Sequence, residues 1–468
     1  MKKKTLFILL LFLLCLSWLQ SKLSIFNIPP LSGVVESTEK PTIDFKSWWD
    51  GNFQTKYSKH EDETFGLRNI FIKIYNQFDY TLFKKPHGEV VIGKHDYLFQ
   101  GNHINEMTGW NYIGDEAMKL IIKNIHTAEK YLNKNNTLLL TVIAPGKTDY
   151  YKEYMPEFYT KRISNYRNYT AIIKYSKEEK IRILDLNKLF LQMKDTCTYP
   201  LFPKQGIHWN YYGMAIASDT IIKYIETENK INLPKISWTM ELSETIKGTD
   251  YDLGDLLNIY QKLLPDKMVS PNFKITEDST TAKLRLLVIG DSFYWSIYNQ
   301  GVFKNVFKNE TFYYYCSSII PKEGKASPFV SDLNFLKEIK NYDVIILLQS
   351  SGNYGNPGVN FIQTLLNEIA RYDILYNIEK QKILNNKLFL KRVEELSSNL
   401  NISQDSSIAF LSDSLTEVIL DEISKIKIQM RQNPEWMEYI IQKSEQQKKP
   451  VDQIMQADAE WTYKKNIK

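Results

Sequence analysis

The stretch Lys283-Leu-Arg-Leu-Leu-Val-Ile-Gly-Asp-Ser-Phe293 constrains the fold more than any other. Residues 284–289 form a short, nearly unbroken apolar run that closes on Val288 and Ile289. Such a run suits a strand buried on both faces, as in a parallel sheet. Gly290 breaks it, Asp291 and Ser292 follow, and a segment able to wind into a helix begins at Phe293. Strand, tight turn and helix together lift a hydroxyl to the carboxyl edge of a sheet, beside free helix N–H groups. Ser292 is therefore a candidate nucleophile, and those N–H groups are candidate oxyanion donors. The plainer alternative is a turn without chemistry.

The rest of the chain repeats the alternation. Residues 89–99 read as a hairpin turning at Gly93-Lys-His-Asp96. Apolar, β-prone runs predict strands over 137–143, 181–186, 284–289, 311–316 and 343–348. Helical patterns occupy 70–83, 115–133, 166–179, 214–225 and 293–307. Repeated strand–helix units imply an α/β fold, a parallel sheet with helices on both faces. From about Gly358 the strand signals stop, and Lys, Glu, Gln and Ile dominate. Residues 415–431 are amphipathic and Pro434 suits the first turn of a helix, so the C-terminal part reads as helical to its end.

At the other end, Lys2, Lys3 and Lys4 precede an almost pure apolar run over 6–19. A basic flank before such a run argues for a cytoplasmic start and an exported remainder. No small-residue cleavage site follows cleanly, which favours an uncleaved signal anchor over a removed signal peptide. Residues 27–42 are rich in Pro, Ser and Gly and read as a linker. The expected organisation is an anchor over 1–26, a linker over 27–43, the α/β domain over 44–357 and a helical module over 358–468. A net charge of +5 with scattered lysines leaves no footprint for nucleic acid. Cys197 and Cys316 permit one disulfide in the exported part without requiring it, and their spacing forms no zinc site. Neither a phosphate-binding loop nor a metal-ligand cluster is present, so no cofactor is implied.

A serine nucleophile needs a base within hydrogen-bond reach. Of 6 histidines, His60, His87, His95 and His103 lie in polar or hairpin segments, and His126 lies within a helix. His208 stands in Phe202-Pro-Lys-Gln-Gly-Ile-His-Trp-Asn210, a loop that opens the helix from Tyr211. Such a loop can present an imidazole at the same sheet edge as Ser292; a solvated or core-bonded histidine is the alternative.

These residues carry a resemblance. His208-Trp-Asn with Gly213 and Ala215, then Gly290-Asp-Ser-Phe293, resembles the SGNH-hydrolase-like proteins of alginate and other polysaccharide O-acetylation (the AlgJ and AlgX type). Phe45-Lys-Ser-Trp-Trp-Asp-Gly51 is similar to the family's opening, and Gly93-Lys-His-Asp-Tyr-Leu-Phe99 to its hairpin. Ala144-Pro-Gly-Lys147 with Met155-Pro156, and Gly254-Asp-Leu256, resemble two further elements in the family's order. The resemblance implies a circularly permuted SGNH fold and acetyl transfer to a glycan hydroxyl through an acetyl-serine intermediate. It also implies a polysaccharide acceptor and a membrane-bound O-acyltransferase partner that brings acetyl groups across the membrane.

One position departs from the pattern. Where the family has an aspartate two residues before the histidine, this chain has Gly206. A triad acid holds the imidazole tautomer and stabilises its protonated form. Asp195 is the nearest substitute and Asp185 another; a backbone carbonyl is a third solution, and weak or absent catalysis a fourth. Asp291 adjoins the nucleophile and is expected to structure the turn. Asp291, Lys147, Asn353, Trp209 and Asn210 complete the candidate oxyanion and substrate residues, with a solvated surface role the alternative for Lys147. Tyr294 and Trp295 read as core before sugar site. The leading expectation is an exported, membrane-anchored O-acetyltransferase of a cell-envelope or secreted polysaccharide. A carbohydrate acetylesterase and a non-catalytic glycan-binding subunit are the alternatives.

Overall fold

The computed structural model describes residues 2–467 apart from 34–37, 244–245, 247, 323, 325–326 and 359. Residues 34–37 of the expected linker, and positions 1, 359 and 468, thus lie outside the described residues. Ten strands follow in chain order: β1 (Val90–Ile92), β2 (Leu98–Gln100), β3 (Leu138–Ile143), β4 (Ile183–Asp185), β5 (Lys235–Leu242), β6 (Val269–Thr276), β7 (Arg285–Gly290), β8 (Asn309–Tyr314), β9 (Ser318–Ile320) and β10 (Val344–Gln349). Six of them form the central sheet in the order β4-β3-β10-β7-β8-β9. Its first five strands run parallel, and the short edge strand β9 is antiparallel.

The unalternating apolar runs account for this core. All six residues of β3 and all six of β10 are buried. Because strand side chains alternate, neighbouring residues feed opposite layers. Leu140, Val142, Val288 and Ile346 pack with Phe190, Met214 and Ile221 on one face. Leu139, Ile143, Ile289 and Leu347 pack with Met118, Ile122 and Ile172 on the other. The fold is the expected α/β sheet flanked by helices.

The helices used below are α1 (Lys2–Leu23), α2 (Arg68–Phe83), α3 (Gly101–Thr108), α4 (Asp115–Lys134), α5 (Asn168–Glu179), α6 (Tyr211–Asn229), α7 (Asp252–Leu256) and α8 (Tyr294–Asn299). After β10 come α9 (Phe361–Leu384), α10 (Lys387–Leu400), α11 (Gln404–Gln432), α12 (Pro434–Gln447) and α13 (Val451–Ile467). Around α11 the C-terminal helices bury Ile423, Met430, Ile440 and Met455 together. The Arg431 guanidinium meets the fully buried Asp332 carboxylate at 3.1 Å, and Lys427 donates to the Ser331 carbonyl at 2.6 Å, tying α11 to the α/β part.

Some expectations fail locally. The helix expected over 293–307 is two short ones, α8 and Val302–Val306, broken at Gly301 with φ +64°. The hairpin β5–β6 lies outside the expected strand set. Cys197 and Cys316, for which a disulfide was permitted and not required, are free thiols.

The register is what builds a site. Gly290 pairs with Leu348 on one side and Tyr314 on the other, and Gln349 pairs with Ile143. Four parallel strands therefore end level, and the segments after residues 143, 290, 314 and 349 emerge at one carboxyl edge.

Candidate active site

Ser292 sits where β7 hands over to α8, at that edge. The turn is held by Asp291, which is fully buried. Its Oδ1 accepts from the Phe293 N–H at 3.0 Å. Its Oδ2 accepts from the Ser350 N–H at 2.8 Å, the Ser350 hydroxyl at 2.6 Å and the Asn353 amide at 2.7 Å. Four donors on one carboxylate compensate its burial and bolt the turn after β7 to the turn after β10. Asp291 thus structures the serine turn, and Asn353 serves it before anything else.

The histidine loop arrives from the other side. His208 Nε2 lies 2.8 Å from Ser292 Oγ, and Nδ1 lies 2.6 Å from Asp252 Oδ2. A carboxylate only accepts, so Nδ1 carries the proton, Nε2 is left as acceptor, and the serine hydroxyl donates to it. The other Asp252 oxygen accepts from the N–H groups of Ile207 at 2.9 Å and Leu253 at 2.7 Å. One carboxylate, at the first residue of α7, therefore orients both the ring and the backbone before it.

This corrects the sequence expectation for the acid. Neither Asp195 nor Asp185 is at the imidazole; Asp185 caps the helix after β4, accepting from the Lys188 N–H at 2.9 Å. Position 206 has no room for an acid: a Cβ there would lie 2.3 Å from the Thr249 carbonyl oxygen and 2.9 Å from Asp250. The glycine admits the 249–252 segment, and that segment brings its own aspartate.

Lys147 is buried, not a solvated surface residue. Its ammonium donates to the carbonyls of Lys204 at 2.9 Å and Gly206 at 2.5 Å, gripping the loop that carries His208. Burial pushes its pKa down to about 7, against the opposing pull of the Asp252 and Asp266 carboxylates. Asp250 is also buried, with one carboxylate oxygen unpartnered among the described residues. Burial, then the neighbouring Asp252 charge, pushes its pKa up to about 7, while His208 lowers it.

Trp209 and Asn210, expected near substrate, are instead structural. Trp209 is 1% exposed and donates its indole N–H to Ser296 Oγ at 2.7 Å. Asn210 caps α6, accepting from the Gly213 N–H at 2.9 Å. Both packing and capping fix the exit angle of the loop. Tyr294 is core, and its hydroxyl bonds Glu310.

Two groups at the site carry no obvious sequence signal. Tyr315 follows β8, and its hydroxyl interacts with both Ser292 and Asn353; partial burial and then the Asp291 charge raise its pKa. Tyr315 and Cys316 both hold a left-handed backbone, with φ +50° and +51°. Non-glycine residues adopt that region at a cost, and such costs gather at functional sites. His103 on α3, far from an exposed polar residue, is 3% exposed. Its Nδ1 meets Ser351 Oγ at 2.6 Å, and burial drives its pKa down to about 3, so the ring is neutral.

A serine, an imidazole and a carboxylate thus stand in line at the carboxyl edge of a parallel-rich α/β sheet. Residues 90–288 match the family model described as "SGNH hydrolase-like domain, acetyltransferase AlgX", and the resemblance drawn from the motifs holds. The matched span contains His208 and Asp252 and ends within β7, just before Ser292. Among curated proteins, a probable alginate O-acetylase AlgJ of Azotobacter vinelandii is 24% identical over 272 residues, 56% of this chain and 65% of the relative. A probable alginate O-acetylase AlgJ of Pseudomonas aeruginosa is 21% identical over 220 residues, 46% of this chain and 54% of the relative. The chain thus spans less than two thirds of the length of these relatives. Among solved structures, the O-acetyltransferase domain of Pseudomonas putida AlgJ is similar at TM-score 0.40 and 15% identity, over 58% of this chain and 93% of that one. Bacillus cereus PatB1 is similar at TM-score 0.38 and 14% identity, over 58% of this chain and 99% of that one.

Proposed function

We propose that the chain is an O-acetyltransferase that moves acetyl groups onto hydroxyls of an exported polysaccharide through an acetyl-Ser292 intermediate. The observation that carries this reading is the unbroken hydrogen-bond chain Asp252–His208–Ser292. His208 takes the Ser292 proton as Oγ attacks the acetyl carbonyl, and returns it to the departing oxygen of the donor. A glycan hydroxyl then gives its proton to the same imidazole and attacks the acetyl-serine; the ester bond to Ser292 breaks and Oγ recovers the proton. Asp252 keeps the tautomer and stabilises the imidazolium formed twice per cycle. The Ser292 N–H and the Tyr315 hydroxyl are the oxyanion donors in this reading.

Setting supports the substrate class. The curated relatives are named as alginate O-acetylases, and α1 is a helix long and apolar enough to cross a membrane. We read α1 as a signal anchor that holds the catalytic domain outside the cytoplasmic membrane, on a linker over 27–43, with 44–357 as the catalytic domain and 358–468 as a helical appendage. A membrane-bound O-acyltransferase is the donor partner in that reading. The non-catalytic alternative drew on Gly206 alone, and Asp252 removes that motive.

The test is direct. Purified chain given a chromogenic acetyl ester turns it over in the wild type and not in Ser292→Ala or His208→Ala; equal rates in all three would reject the proposal. Adding a polysaccharide acceptor separates transfer from the acetylesterase alternative, since only transfer leaves acetyl on the glycan.

A further inference from the structure

Helix α2 exposes the wrong face for a helix on a water-facing surface. Phe71, Ile74, Tyr75, Phe78 and Leu82 recur at three- and four-residue intervals, which puts them on one stripe. They are 39%, 52%, 56%, 56% and 58% exposed, and Phe83 at the helix end is 66% exposed. The opposite side of α2 is what holds it to the domain: Asn76, Asp79 and Tyr80 are buried, and the Asn76 amide donates to the Leu257 carbonyl at 3.1 Å. The stripe is therefore fixed outward and is apolar along its length.

Its place in the chain says what it faces. Residues 3–23 of α1 would extend about 31 Å, the hydrocarbon thickness of a bilayer. The apolar part of α1 gives way to Ser17, Gln20 and Ser21, and there the helix touches the segment that leads into α2. A Cβ at Gly66 would lie 2.4 Å from both the Ser17 carbonyl oxygen and the Ser21 nitrogen, so α1 passes directly against the residue two positions before α2. If α1 spans, that contact lies in the last two turns of the span, at the outer edge of the bilayer, and α2 begins there. Aromatic rings with an aliphatic stripe are what interfacial helices bury between headgroups and acyl chains. The charges on α2 agree: Arg68 and Lys73 are its basic residues, while its single acid, Asp79, is buried 2.9 Å from His87.

We propose that α2 is a membrane-surface helix that lies in the interface beside the anchor, with Ile74, Phe78 and Leu82 in the acyl region. Two contacts, one spanning and one lying flat, would set the orientation of the domain over the bilayer instead of leaving it to swing on the linker. The inference rests on reading α1 as an anchor, and the test separates the two.

Full-length native chain is reconstituted into vesicles of phosphatidylethanolamine and phosphatidylglycerol carrying a diazirine on the acyl tail, then irradiated, digested with trypsin and mapped by mass spectrometry. The peptide 74–84 carries the stripe. The peptide 372–380 is the control, because Ile374 and Ile378 on α9 are also 62% and 46% exposed. Lipid adducts on 74–84 several-fold above 372–380 are expected, and Phe78→Glu with Ile74→Glu removes them while ester turnover by the same chain is unchanged. Labelling of 74–84 no higher than 372–380 overturns the proposal, and so does protection of 74–84 by a co-purifying protein in place of lipid. Adducts on 74–84 with none on α1 leave the surface helix standing and discard the anchor.

Discussion

The two sides of the candidate site are built on opposite principles. The serine side is held by a single charge with every need met: Asp291 receives four donors and fixes residues 290–293 and 350–353 together. The histidine side is held by several ionisable groups close to one another: Lys147, His208 and Asp250, which are buried, and Asp252, which is half-buried. On the histidine side burial brings Lys147 down and Asp250 up to about 7, so those two groups respond to pH near neutrality. Ser292 is thus positioned by a static frame, and His208 by a tunable one.

Substitutions can break that contrast, and the largest effects fall on the groups proposed to react. Ser292→Ala and His208→Ala each lose ester turnover on the order of a millionfold, as groups that act as a unit do. Asp252→Asn is next, on the order of ten-thousandfold in kcat, because an amide favours the wrong imidazole tautomer. Asp195→Asn leaves the rate unchanged; steady-state kinetics on a chromogenic acetyl ester reads all four. Asp291→Asn turns an N–H pair toward donors it cannot accept from, and costs about 2–3 kcal/mol of stability by denaturant unfolding. Tyr315→Phe lowers kcat about tenfold with KM little changed, somewhat below the usual loss of an oxyanion donor because the Ser292 N–H remains.

The smallest effect tests the tunable side. Asp250 holds its proton in the folded chain up to about pH 7, while the unfolded chain releases it near the ordinary carboxylate value of 3.8. Between those values the folded state binds more protons, so stability falls as pH rises through the window. Asp250→Asn removes that slope: Tm exceeds the wild-type value at pH 8, and the gap closes toward pH 4. A constant gap across that range would place the pH response elsewhere.

What could be read from the sequence follows the same division. The turn that carries Ser292 and the loop that carries His208 were legible because each is announced locally, by an apolar strand closing on Gly290 and by a loop opening a helix at Tyr211. The sheet was legible for the same reason, since β3, β7 and β10 are unbroken apolar runs. Asp252 was not, because its role depends on segment 249–252 crossing over Gly206, an approach that no local pattern encodes. A signal did exist, as Asp252 stands two residues before Gly254-Asp-Leu256, an element that resembles the family's. His103, read as lying in a polar segment, is buried and paired, and Lys147, read as near the site with a solvated role the alternative, is buried against the histidine loop. Hairpin β5–β6 was legible in principle: Ile236, Trp238, Met240 and Leu242 alternate with polar residues at period two.

The acyl-enzyme tests the central claim most directly. Full-length chain is mixed with an acetyl ester, quenched within one turnover and digested, and the peptide containing Ser292 is examined by mass spectrometry. The account predicts one acetyl group on Ser292 in the wild type and none in Asp252→Asn on the same time scale. Acetyl on another residue, or turnover with Ser292 unmodified at every time point, would contradict it.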